Sequence, residues 1–171
     1  MKTLAKLLLF AVLFFGLVQV VMATQHSDTQ TVTITFSEIY ELGVSGDPGT
    51  LVIDVPLVPG DLPEDETDAT TTMAWTSNVD SGKTRKITGQ LNGLFSGVDL
   101  YATVAAPGSA GGTSAGEVKL IAVSAGDYVT GIGNCHTSGN TITYRADVPT
   151  EMVAPYTDTT HDVTWTLTDD V

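Results

Sequence analysis

Near the C-terminus the chain reads Val163-Thr164-Trp165-Thr166-Leu167-Thr168, apolar residue and threonine in strict alternation. No other feature limits the fold as much. In an extended chain successive side chains point to opposite faces, so this run presents Val163, Trp165 and Leu167 on one side and three threonines on the other. A helix, with its period of about 3.6, cannot sort these residues that way. The same alternation recurs in Val32, Ile34 and Phe36 set against Thr31, Thr33 and Thr35, in Thr71, Met73 and Trp75, in Leu100, Ala102 and Val104, and in Ile142, Tyr144 and Ala146. Threonine suits both halves of the pattern: its β-branch favours strands and its hydroxyl tolerates the wet face.

These runs predict strands over residues 31–39, 51–58, 70–76, 83–91, 98–104, 117–123, 141–148 and 161–168, separated by turn signals such as Asp80-Ser81-Gly82. Residues 31–39 are expected to bury Val32, Ile34 and Phe36. Residues 51–58, apolar on both faces, are expected to run centrally. The Gly/Ala/Ser stretch 107–116 reads as a flexible loop, and residues 127–133 as a short helical turn or a bend. Seven to eight short strands predict an all-β fold, an antiparallel β-sandwich of immunoglobulin-like or jelly-roll-like type, with a closed barrel as the alternative. Trp75, Trp165 and Leu167 are the expected core anchors. A buried tryptophan cut to alanine costs about 3–5 kcal/mol.

Residues 1–23 carry Lys2 and Lys6 ahead of the apolar run LLLFAVLFFGLVQVV, with Val21 and Ala23 before the expected cut. This is the build of a secretory signal peptide. The run is short for a membrane span and Gln19 interrupts it. Residues 24–171 then form one sandwich domain, secreted or held at the cell surface, with no membrane segment after cleavage. The whole chain has 7 Lys+Arg against 20 Asp+Glu and a formal charge of −13. Removing the leader leaves Lys83, Arg85, Lys86, Lys119 and Arg145 as its only Lys and Arg residues. Such a surface repels phosphate backbones, so nucleic acid is excluded as a partner. The single cysteine, Cys135, allows no intramolecular disulfide; it is either buried and inert or free to bond another chain.

Motifs that carry chemistry are sparse. Residues 112–116 (GTSAG) match the nucleophile-elbow pattern, but that motif works at a strand-to-helix turn, and here a strand is expected to follow. His26, His136 and His161 show no zinc spacing. The chain is therefore not expected to be an enzyme. Five carboxylates, Asp61, Glu64, Asp65, Glu66 and Asp68, crowd one loop. Ca²⁺ takes six to eight oxygens and would relieve their repulsion, so it is the one cofactor the loop suggests; a merely solvated loop is the competing expectation. A glycan- or cell-wall-binding role would need exposed aromatic faces, for which Tyr101, Tyr128, Tyr144 and Tyr156 are the candidates.

The stretch Val163-Thr164-Trp165-Thr166-Leu167-Thr168-Asp169 resembles the distal motif of WxL-type bacterial cell-surface domains, a strand carrying W-x-L followed by a short polar tail. The resemblance implies a sandwich displayed on, or secreted to, a bacterial envelope. Exported Thr-rich bacterial sandwich proteins similarly carry V-T-x-T strands near both ends, here Val32-Thr33-Ile34-Thr35 and Val163-Thr164-Trp165-Thr166. The alternating segment with Val32, Ile34 and Phe36 can serve as the first strand of its own sandwich. It can also act as an edge strand that pairs with a neighbour, a mode of strand addition. The expected function is a structural or interaction protein, self-associating or binding other surface proteins, in a filament or matrix.

Overall fold

A computed structural model describes residues 28–53, 58, 60–149 and 159–170. The expected signal peptide, residues 1–23, lies outside the described residues. The chain divides into two units, Met1–Thr35 and Phe36–Val171. In the first, residues 28–35 are irregular and exposed. The second is all-β, with no helix among the described residues.

Among the described residues nine strands build it: β1 Tyr40–Ser45, β2 Glu66–Ser77, β3 Arg85–Leu91, β4 Asp99–Val104, β5 Gly111–Ser114, β6 Glu117–Lys119, β7 Gly126–Ile132, β8 Cys135–Asp147 and β9 Val163–Asp169. They form two sheets, β1-β2-β8-β4-β6 and β5-β7-β3-β9, and every strand pair is antiparallel. The two separate sheets make a sandwich. Its interior follows the alternation read from the sequence: Thr71, Met73 and Trp75 from β2, Leu100, Ala102 and Val104 from β4, Ile142, Tyr144 and Ala146 from β8 are all buried. From the facing sheet come Ile87, Leu91, Tyr128, Val129 and Ile132. The indole N–H of Trp75 has no hydrogen-bond partner among the described residues. Burial pushes the Cys135 thiol up, which keeps it protonated.

Several expectations need correction. The first strand begins at Tyr40; residues 31–39 form no ladder, and Val32, Ile34 and Phe36 are exposed rather than buried. Their alternation makes a strand possible, but a strand also needs a partner. Residues 51–53 and Val58 are not in a strand, Val52 is exposed, and residues 54–57 and 59 lie outside the described residues. The supposed loop 107–116 contains β5. Its glycines permit this: at Gly112, where φ is +94°, a Cβ would sit 2.7 Å from side-chain atoms of Val129 and Ile132, so only a glycine brings β5 against β7. Residues 127–132 belong to strand β7, not to a helical turn, and Gly133 follows it; the strand buries Val129 and Ile132 in the core. The run 117–123 pairs only to Lys119 before leaving the sheet.

The two flanks of the sandwich differ. On one, the chain after β6 stitches the sheets together: Leu120 N–H donates to the Leu100 carbonyl at 2.8 Å, and Leu91 N–H donates to the Ile121 carbonyl at 3.1 Å. On the other, the edge strands β1 and β9 face each other, and β9 pairs with β3 alone among the described residues. There Val163, Trp165 and Leu167 are only half-buried and Val44 of β1 is 44% exposed.

Candidate functional site

The residues expected to carry chemistry do not converge. Of the acidic loop, Glu66 and Asp68 belong to β2. Asp68 accepts hydrogen bonds from the Thr70 N–H at 3.0 Å and the Thr70 hydroxyl at 2.8 Å, which hold its carboxyl below the usual range. Asp65 pairs with Arg145. Asp61 and Glu64 are exposed. Among the described residues no three His, Cys, Asp or Glu side chains are grouped so as to hold a metal ion. Arg145 gathers Asp65, Glu117 and Asp147 and lies 4.5 Å from the ring centre of Tyr101. The guanidinium beside Glu117 holds that carboxyl below its ordinary value.

The aromatic candidates lie mostly inside. Tyr128 and Tyr144 are buried, Tyr101 is half-buried under Arg145, and Tyr156 is outside the described residues. Ser114 of the GTSAG run sits in β5 and accepts a hydrogen bond from the Gly116 N–H at 3.1 Å, with no helix following it. His136 and Cys135 are neighbours on β8 and alternate in exposure, and His161 packs edge-on against Phe95 at 4.7 Å. His26 is outside the described residues.

Three features of the described residues stand out. One is the exposed stretch with Val32, Ile34 and Phe36, which are 75%, 74% and 83% exposed. Another is the mouth between β1 and β9. Trp165 stands there edge-on to Tyr128, ring centres 4.9 Å apart, over Gly89, where a Cβ would come within 2.6 Å of the indole. Trp75, by contrast, is 1% exposed at the core centre. Trp165 and Leu167 pack against the core from its rim.

The third element was missed from the sequence. Arg85 is 2% exposed at one end of β3. It donates to the carbonyls of Ile39 at 3.1 Å and Asn78 at 2.9 Å and to the Ser77 hydroxyl at 3.1 Å. It also pairs with Glu38 and, at 3.4 Å, with Asp169, and it lies over the ring of Tyr40. Asn78 completes the clamp: its N–H donates to the Ile39 carbonyl at 2.9 Å, its side-chain oxygen accepts from the Ile39 N–H, and its side-chain N–H donates to the Ser37 carbonyl at 2.8 Å. The signal was legible. Period two puts Arg85 on the same face as Ile87 and Leu91, so a charge was aimed inward and needed partners. Phe36, Ser37 and Glu38 then line an open concavity of about 980 Å³ with Asp80, Lys83 and Asp170.

Comparison with protein-family models, with curated proteins and with solved structures gives no match.

Proposed function

We propose that the protein is an extracellular structural subunit that self-assembles by strand addition, donating the segment with Val32, Ile34 and Phe36 to an open sheet edge of another copy. One observation carries this reading: three large apolar side chains at alternate positions are each at least 74% exposed. Exposed apolar groups at a strand's period are costly in water and well placed for a sheet edge that lacks a partner. The leader at residues 1–23 supports export, and the acidic surface suits a protein that must stay soluble until it meets its own kind.

The experiment uses the chain from Thr24 onward, followed by light scattering and electron microscopy. The expected result is concentration-dependent assembly. Ile34→Asp places a charge in the donated face and should leave a monomer with an unchanged melting curve, because Ile34 is not part of the sandwich core. A chain that stays monomeric at high concentration overturns the reading. Fractionation of cells producing the full chain tests its expected release to the exterior.

A further inference from the structure

We infer that the acceptor is the outer edge of β9 in a second copy, which has no strand partner among the described residues; this rests on the strand-addition reading. Among the described residues the sheets end at four edge strands, β1, β5, β6 and β9. β6 is only three residues long and β5 only four, too short for a six-residue donor. β9 has seven residues and alternates Val163, Trp165 and Leu167 with Thr164, Thr166 and Thr168. The donor repeats that pattern with Val32, Ile34 and Phe36 against Thr31, Thr33 and Thr35. Laid beside β9, it would send its apolar side chains between the sheets and continue the threonine face outside. The inward residues of β9 are the ones left half-exposed, whereas the inward residues of β3, its paired neighbour, are buried. β1 has the other exposed edge, but the root of the donor runs directly into it.

β1 pairs with β2 so that Tyr40 lies opposite Ser77. Just before that pair Asn78 holds Ser37 and Ile39, and Arg85 holds Glu38. Phe36 and Ser37 line the same concavity as Val79, Asp80 and Lys83 of the β2–β3 connection. Asp169, the last residue of β9, is at that same end through Arg85. The clamp therefore fixes residues 37–39, the chain that leads from the donor into β1.

Cysteine pairs on the outward threonine face test the acceptor. In a Cys135→Ser background, or Cys135→Ala if melting shows the serine form to be unstable, Thr33→Cys is combined with Thr166→Cys. Thr31→Cys is combined with Thr168→Cys and, separately, with Thr164→Cys, so that either polarity is caught. Adjacent strands bring such pairs within disulfide reach. Thr33→Cys with Thr113→Cys on β5 is the control. Light scattering on the same samples before oxidation reports whether assembly occurs. The expected product is a ladder of dimers and larger species from at least one β9 pair, at least tenfold above the β5 control. Linked product confined to monomer size overturns donation between copies. Assembly without any link to β9 overturns β9 as the acceptor while leaving strand addition in place. Absence of assembly removes the underlying reading itself.

Discussion

The flank closed by Leu120 and the mouth between β1 and β9 are made of the same material, alternating strands ending at a sheet edge, yet they finish differently. At the closed flank the chain supplies its own cover: Leu120 is 1% exposed, and hydrogen bonds to Leu100 and Leu91 tie the two sheets together. At the mouth the inward face of β9 remains partly wet, and Arg85 secures only one end. An edge strand is a liability unless it is covered, and this chain covers one side by itself. The alternating pattern prepares a strand, while a neighbour decides whether it becomes one.

The sharpest test compares side chains from the two sides. Leu120→Ala removes a fully enclosed group and should cost about 2–5 kcal/mol in urea melts. Trp165→Ala removes a larger side chain, but one that is half-buried, and should cost about 2 kcal/mol in the isolated subunit, below the range for an enclosed tryptophan. The usual ordering by size is thereby reversed. In the assembled state the cost at Trp165 should rise toward about 3–5 kcal/mol, as a donated strand encloses it. If Trp165→Ala already costs that much in a monomer, the mouth is not open in the sense argued.

Glycines sharpen the same contrast on a smaller scale. Gly112→Ala meets a positive φ and two side chains at 2.7 Å on β7, so it should cost about 2–3 kcal/mol. Gly89→Ala meets the indole of Trp165 at 2.6 Å, which stands at the mouth and can swing outward, and the enclosed ring of Tyr128 at 2.9 Å, which has less room to give. Its φ is not positive, so its cost should be about 1–2 kcal/mol, the lower part of the range for overpacking. Equal losses at the two sites, measured by thermal melting, would mean that the rim is as tightly enclosed as the closed flank.

Most of the fold was legible because period two is a direct consequence of the extended backbone. Met73, Trp75, Leu100, Val104, Ile142 and Tyr144 stand inside where the alternation put them. Errors arose where sequence supplied pattern without partner, or partner without pattern. Val32, Ile34 and Phe36 had the period but no strand partner among the described residues. Gly111-Gly112-Thr113-Ser114 had no apolar period, yet became an edge strand because small residues let it approach β7. The clamp was hidden for a different reason. Asn78 and Arg85 are seven residues apart, but Glu38 lies 47 residues before Arg85 and Asp169 far beyond it, and only the pairing of β1 with β2 and of β3 with β9 brings them together.

The smallest effect concerns Tyr128, where the enclosed core meets the mouth. Its ring packs on Trp165, its hydroxyl donates to the Val118 carbonyl at 3.2 Å, and burial holds its pKa well above the ordinary tyrosine value. The folded chain therefore keeps a proton that the unfolded chain releases above about pH 10. With more protons bound in the native state, stability falls as pH rises. The loss is about 0.4 kcal/mol at pH 10 and approaches about 1.4 kcal/mol for each further unit. Burial pushes Tyr144 and Cys135 in the same direction, so their contributions add to the decline. Urea midpoints followed from pH 8 to 11 should drop, and Tyr128→Phe should make the drop shallower while lowering the starting value slightly through the lost hydrogen bond. A decline that is unchanged in Tyr128→Phe would mean that the phenol reaches water through the mouth, and the open side would then extend deeper than Trp165.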